Sequence, residues 1–111
     1  MGYDLHITRA DNWMENLGSE ILVDEWLALV EADPELQLDP VHGPYAVHWR
    51  QTEAAAQSWF DWCEGNVYTT DPDTAAVGKM LALATSLTGR VQGDDGEMYG
   101  AATEWVDRAV P

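Results

Sequence analysis

Basic residues are scarce in this chain of 111 residues. Five Lys and Arg stand against twenty Asp and Glu, so the formal net charge at pH 7 is −15 with the histidines neutral. A field of this sign repels phosphate backbones and anionic lipid surfaces, which argues against nucleic acid and membranes as partners. It favours a basic protein partner. A need for solubility or adaptation to high salt would also explain the acidic composition, so the charge alone does not distinguish these two explanations from a basic partner.

Cysteine is nearly absent as well. The single Cys63 excludes an internal disulfide, and no basic neighbour in the sequence would activate its thiol, so we expect a small buried side chain. Residues 1–11 lack the basic region and apolar run of a signal peptide. No apolar stretch approaches the ~20 residues that a membrane span needs. These absences predict a cytoplasmic location.

Tryptophan, by contrast, is abundant, with six residues in the chain. Each indole can bury about 150–250 Å², so a few of them would dominate either a core or an interface. Hydrophobic residues make up 46% of the chain, which is ordinary for a globular protein. The length predicts a single domain over residues 1–111, either a monomer or a homodimer.

Two segments carry helical patterns, and a third is a candidate. Residues Leu22–Ala32 repeat apolar side chains at i, i+4, i+7 and i+8, which predicts one buried helix face. A second helix is predicted to begin with Asp71 as its N-cap and Pro72 as its first residue. Gly89 is suited to a left-handed cap at its C-terminal end. Residues 101–110 are a candidate for a short C-terminal helix.

Alternation of apolar and polar residues predicts strands in the remaining segments. The first strand covers residues 2–9, and residues 58–70 are typical of a hairpin with a turn at Glu64-Gly65-Asn66. Shorter strands are predicted near residues 36–38, 45–49, 90–92 and 97–99. We therefore expect an α+β fold, with a mostly antiparallel sheet of about five to six strands and two helices packed on one face.

The most polar cluster is the loop from Gly93 to Glu97. Asp94, Asp95 and Glu97 supply three carboxylates within four positions, and a divalent cation takes several oxygen ligands. The spacing differs from that of an EF-hand loop, and Asp and Gly are residues that β-turns favour. A β-turn is therefore the first interpretation. An acidic loop that touches a partner is the second, and a metal site is the third.

The aromatic segment around residue 60 is the other candidate for a binding site. In a strand, Trp59 and Asp61 face one side of the sheet, while Phe60 and Trp62 face the other. One side must be buried against the helices, and the other then exposes a tryptophan beside carboxylates. Such a patch suits a basic protein surface, because tryptophan anchors interfaces and charges steer the approach. The alternative is a strand that is buried on both sides.

Catalytic patterns are lacking in the sequence. His6, His42 and His48 show no metal-ligand spacing, and His6 is interpreted as a surface histidine on the polar side of the first strand. The chain has neither a nucleophile elbow nor a Gly-rich phosphate loop. We therefore predict a binding protein without catalytic residues, metal or cofactor. The alternative is a small metal-dependent hydrolase that combines His6 with the carboxylates of the Gly93–Glu97 loop.

The chain resembles a group of small, acidic, uncharacterised bacterial proteins over nearly its whole length. The resemblance is carried by residues 2–9 (GYDLHITR), 24–27 (DEWL), 59–62 (WFDW), 64–66 (EGN) and 91–97 (VQGDDGE). In general appearance the group is similar to cytoplasmic immunity proteins that neutralise secreted bacterial toxins. This resemblance implies an immunity-type inhibitor of a basic toxin and transfers no functional residues. A homo-oligomeric structural protein is the remaining alternative.

Overall fold

The computed structural model describes residues 3–50 and 58–99. In chain order these form β1 (Asp4–Thr8), α1 (Val23–Ala32), β2 (Leu36–Leu38), β3 (Val47–Trp49), β4 (Ser58–Cys63), β5 (Asn66–Thr70), α2 (Thr74–Ser86), β6 (Arg90–Gly93) and β7 (Met98–Tyr99). The α+β class is confirmed. The candidate C-terminal helix at 101–110 lies outside the described residues.

The strands form one antiparallel sheet in the order β2-β3-β4-β5-β1-β6-β7. The described residues thus contain seven strands, and the expected count of five to six was too low. The two edge strands, β2 and β7, have three and two residues. Both edge segments were predicted as strands, at 36–38 and 97–99, and the structure joins them to the same sheet as the other five strands. The first strand, β1, lies between β5 and β6, well inside the sheet.

The hydrophobic core lies between one face of the sheet and the two helices. Leu5, Ile7 and Phe60 point from the sheet into one cluster, where Trp26 of α1 and Met80 of α2 meet them. All five side chains are fully buried. Full burial stabilises each by about 1.5–3 kcal/mol relative to an exposed position. Because both helices contribute to the same cluster, they cover the same face of the sheet.

The N-terminal cap of α2 differs from the prediction. Asp73, and not Asp71, is the N-cap residue, and its carboxylate accepts a hydrogen bond from the Ala76 N–H at 2.8 Å. Asp71 instead accepts from the Tyr3 N–H at 2.9 Å, which fastens the end of β5 to the start of β1. The two aspartates flank Pro72 on either side. Only the backbone path after β5 determines which carboxylate can reach the free N–H groups of the helix.

The C-terminal cap of α2 also differs from the prediction. Thr88 takes the left-handed conformation with φ of 57°, and Gly89 does not. The Gly89 N–H donates to the Ala84 carbonyl at 2.8 Å and the Thr88 N–H to the Thr85 carbonyl at 3.3 Å, which is the Schellman pattern. Packing favours glycine at position 89, since a Cβ there would lie 3.1 Å from both Cγ2 of Ile7 and the Thr8 carbonyl oxygen.

The loop between β1 and α1 folds back over the second face of the sheet. The Trp13 ring stacks on the His6 ring with centroids 3.7 Å apart and planes 9° from parallel. Hydrogen bonds to Gln92 on β6 and from Asn66 on β5 hold the Trp13 backbone in place. His6 is therefore only 5% exposed, and the interpretation of a surface histidine was wrong. The loop covers the β5–β1–β6 half of this face.

Candidate functional site

The β3–β4–β5 half of the second sheet face lies beside this loop and carries polar and aromatic side chains. Cross-strand pairing places His48 opposite Trp59 and Asp61 opposite Tyr68. These side chains form one wall of a cavity of about 300 Å³, closed on the other side by the turn between β2 and β3. We call this cavity the β3–β5 pocket, and it is lined by Asp39, His42, Ala46, Val47, His48, Ser58, Trp59, Asp61 and Tyr68.

Two aromatic rings give the β3–β5 pocket a fixed shape. Trp59 and Tyr68 meet edge to face, with centroids 5.4 Å apart and planes at 84°. The Trp59 side chain is held against the sheet yet remains 37% exposed. An exposed indole on a rigid strand presents a large contact area whose conformational entropy is already reduced, as in the anchor residues of protein interfaces.

Asp61 introduces a negative charge into the pocket. Its carboxylate is half-buried, and this burial raises the pKa of the group above its ordinary value. Among the described residues, no Lys, Arg or His comes within salt-bridge distance of it. A partly desolvated carboxylate without a counter-charge is unfavourable, and a cation supplied from outside would stabilise it.

Asp39 and two histidines complete the rim. The Asp39 carboxylate lies 2.7 Å from Nδ1 of His42 and 3.9 Å from Nδ1 of His48. Asp39 is therefore already engaged with the imidazoles on this side of the pocket. Of the two pocket carboxylates that the structure describes, Asp61, on the opposite wall, is the one without a salt-bridge partner among the described residues.

Trp62 lies on the other face of β4 from Trp59 and Asp61. Its indole N–H donates to the Ile21 carbonyl at 2.8 Å, and its ring meets Tyr45 edge to face at 5.3 Å. Of the three residues predicted for this strand, the structure thus brings Trp59 and Asp61 together and places Trp62 against the helix side.

The Gly93–Glu97 loop is a β-turn, with the Gly96 N–H donating to the Gly93 carbonyl at 3.0 Å. Its carboxylates diverge. Glu97 accepts a hydrogen bond from the Tyr3 hydroxyl, which lowers the pKa of Glu97, whereas Asp95 is exposed. Asp94 turns back toward β1.

Asp94 meets His6 and Asp4 near the start of β1. Nε2 of His6 lies 3.0 Å from Oδ1 of Asp94, and the Asp4 N–H donates to Oδ2 of Asp94 at 2.9 Å. The hydrogen bond from the Asp4 backbone, followed by that from His6, lowers the pKa of Asp94. One ligand atom from each of the three residues lies within 4.8 Å of the others. We call these residues the Asp4–His6–Asp94 cluster.

Sequence reasoning missed Asp4, although the signal was present. Asp4 and His6 are two residues apart on one strand, so their side chains point to the same face. The pairing of β1 with β6 could not be predicted from the sequence. This pairing sets Gln92 opposite His6 and so brings the Gly93–Glu97 turn beside the Asp4 and His6 side chains. Among the described residues, the ligand group that forms contains Asp4 in place of the expected Asp95 and Glu97.

Cys63, at the end of β4, does not provide a reactive thiolate. Its side chain is exposed, so the expectation of a buried cysteine was wrong. Burial of part of the thiol, followed by the nearby Glu64 and Asp61 carboxylates, raises its pKa. The thiol is therefore protonated at neutral pH and is a poor nucleophile.

Basic side chains in the described part of the chain are engaged internally. Arg9 pairs with Glu25 at 2.8 Å, and Nζ of Lys79 lies 2.8 Å from carboxylates of both Asp33 and Glu35. The others are Arg90, 3.4 Å from Asp11, and Arg50, which donates to the Pro34 carbonyl at 3.0 Å. The surface field of the described residues is therefore set by unpaired carboxylates.

Comparisons with known proteins add no relative: no family model, no curated protein and no solved structure matches the chain. In the portions of the chain that the structure describes, no helix is long and apolar enough to cross a bilayer. The functional interpretation therefore depends on the geometry of these two sites.

Proposed function

We propose that the protein is a non-enzymatic binding domain whose β3–β5 pocket receives a basic side chain of a protein partner. Asp61 is the observation that carries this proposal. Its carboxylate is half-buried between aromatic side chains and has no cationic partner among the described residues. A guanidinium or ammonium group entering the pocket would supply the missing counter-charge.

The aromatic wall supports a cationic ligand as well. A cation near the Trp59 ring gains about 0.5–2 kcal/mol from the ring's quadrupole, with the larger values at desolvated positions. Tyr68 holds the indole edge to face, so little side-chain entropy is lost on binding. The cavity of about 300 Å³ can accommodate one long side chain, which favours a single arginine or lysine anchor over an extended peptide.

The charge of the whole chain supports the same type of partner. At −15 it attracts a basic protein from a distance and raises the association rate, while the pocket fixes the orientation of the complex. An acidic single domain that resembles immunity proteins would bind a basic bacterial toxin in this way. We place that encounter in the cytoplasm, where an immunity protein protects its own cell.

A hydrolase that uses the Gly93–Glu97 carboxylates has less support. Asp95 points to solvent and Glu97 binds the Tyr3 hydroxyl, so these two groups do not join His6 at one reacting centre. A homo-oligomer built on the β3–β5 pocket is also disfavoured, because two copies would bring two negatively charged surfaces together.

The test measures, by isothermal titration calorimetry, whether this protein binds any basic protein encoded beside its gene. Asp61→Asn should weaken the complex about tenfold or more, since it removes the charge and keeps the shape. Trp59→Ala should weaken it to a similar degree, and Trp59→Phe should weaken it less.

Glu31→Gln is the matched control, because it makes the same change in net charge at an exposed position on α1. It should change the affinity less than about twofold. Equal losses from Asp61→Asn and Glu31→Gln would show that only the overall charge matters, and the pocket would be rejected. If no basic neighbour binds the unmodified protein, the proposal fails as a whole.

A further inference from the structure

The Asp4–His6–Asp94 cluster is separate from the β3–β5 pocket, and its donor atoms are already gathered. Nε2 of His6 and Oδ1 of Asp94 are 3.0 Å apart, and a carboxylate oxygen of Asp4 lies within 4.8 Å of both. Ligand atoms bound to one tetrahedral zinc ion at 2.0–2.2 Å are about 3.3 Å from one another. Small side-chain rotations would therefore bring all three donors to a common ion.

Electrostatics at the cluster favour a cation. Two carboxylates face one imidazole, so the group carries a net negative charge even when His6 is protonated. Among the described residues, no Lys or Arg makes a salt bridge to Asp4 or Asp94. Because the His6 side chain is almost completely buried, this negative charge lies against a low-dielectric surface.

Neighbouring groups already orient the three side chains. The Thr70 hydroxyl donates to Oδ1 of Asp4 at 2.8 Å, and the Asp4 N–H donates to Oδ2 of Asp94 at 2.9 Å. The Trp13 ring lies flat on the imidazole and fixes its plane. Such outer contacts hold metal ligands in place and are worth about 10–100-fold in metal affinity. Each carboxylate keeps oxygen lone pairs that these contacts leave free for an ion.

We propose that Asp4, His6 and Asp94 bind one Zn²⁺ ion. An imidazole nitrogen with two carboxylate oxygens suits zinc better than Mg²⁺ or Ca²⁺, which prefer oxygen ligands alone. Asp4 and His6 line a cavity of about 490 Å³, and the Asp94 side chain is about one-third exposed, so an ion can enter from solvent. Three protein ligands leave one coordination position for water or for a donor atom of another molecule.

Zinc would bind at Nε2 of His6, so the contact between Nε2 and Oδ1 of Asp94 would be replaced by two bonds to the same ion.

The test titrates the full chain, stripped of metal with a chelator, with zinc chloride in a calorimeter and follows thermal unfolding. The unmodified protein should bind one equivalent and unfold at a higher temperature. Asp4→Asn and Asp94→Asn should each weaken binding about tenfold or more. Glu31→Gln, which makes the same charge change at an exposed position on α1, should leave zinc affinity unchanged. Co²⁺ offered as a substitute should give visible absorption that requires His6.

Replacement of the buried His6 carries a risk of misfolding, so the decisive readout on the unmodified protein is the ¹⁵N chemical shift of its imidazole. Addition of zinc should move the Nε2 resonance of His6 and leave those of His42 and His48 in place. Absence of saturable binding, or binding that survives both Asp→Asn changes, would overturn the assignment. So would a zinc-induced shift at His42 or His48 in place of His6.

Discussion

A β-branched residue occupies the left-handed position at the C-terminal end of α2. Thr88 has φ of 57°, a conformation in which the Cβ atom of an L-residue costs about 1–2 kcal/mol. Glycine relieves that cost but loses about 0.5–1 kcal/mol in chain entropy. Thr88→Gly should therefore stabilise the protein by about 0.5–1 kcal/mol, measured by urea denaturation.

Thr85→Gly, three residues earlier in the same helix, provides the control. Thr85 has helical geometry, so glycine there should lower stability by a few tenths of a kcal/mol. If the free energy of unfolding rises in Thr88→Gly and falls in Thr85→Gly, the gain comes from relief of the left-handed backbone strain at Thr88. A loss of stability in Thr88→Gly would show that the threonine side chain makes a compensating contribution.

The same cap illustrates what a residue type can and cannot predict. Gly89 correctly indicated where α2 ends, but the reason was wrong, because the glycine packs closely against Ile7 and does not take a left-handed backbone conformation. His6 gives a similar lesson. Its position on the polar side of β1 was right, and its burial under Trp13 depends on a loop whose path has no periodic signal.

At the scale of elements, alternation and helical spacing predicted both helices and the long strands. They also predicted that Trp59 and Asp61 share a side of β4, which is half of the β3–β5 pocket. The other half comes from the turn between β2 and β3, where Asp39 and His42 approach the sheet through tertiary packing. The cluster at Asp4 depends on the pairing of β1 with β6, and a contact between residues 90 positions apart leaves no local pattern.

Arg9 connects three elements at the end of β1. Its guanidinium binds both Glu25 oxygens in α1 at 2.8 Å, and its Nε donates to the Leu87 carbonyl at the end of α2 at 2.8 Å. Lysine keeps the charge but cannot reproduce this fork of donors. Arg9→Lys should lower the urea midpoint clearly more than Arg90→Lys, whose partner Asp11 is fully exposed and 3.4 Å away.

The Arg9–Glu25 contact should also appear in the acid limb of the stability profile. The hydrogen bonds from Arg9, followed by that from the Leu22 N–H, lower the pKa of Glu25 from 4.5 to about 2. A lowered pKa means that the contribution is fully present above pH 4.5 and is lost as the pH falls toward 2. Glu25→Gln should therefore flatten the fall in stability between these values. An unchanged slope would show that the contact with Arg9 does not stabilise the ionised Glu25 carboxylate over its protonated form in the folded protein.

For the whole molecule, the relevant quantity is a net charge of −15 on 111 residues. The basic side chains in the described ranges are already bound to carboxylates or carbonyls, so they neutralise little of the outer surface. Self-repulsion of this kind destabilises the folded state and is screened by salt, with a Debye length of about 8 Å at 0.15 M. The same field attracts a basic partner.

Salt should therefore act on stability and on association in opposite directions. Raising NaCl from about 0.05 to about 0.5 M should raise the thermal midpoint by a few degrees and slow association with a basic partner about tenfold or more.

Paired neutralisation of exposed Asp24 and Glu31 should reduce the association rate, because these groups only steer the encounter. Asp61→Asn should act mainly on the dissociation rate, since Asp61 contacts the bound cation. If both changes altered only the association rate, Asp61 would be one more surface charge. The acidity would then steer the encounter without a specific anchor in the pocket.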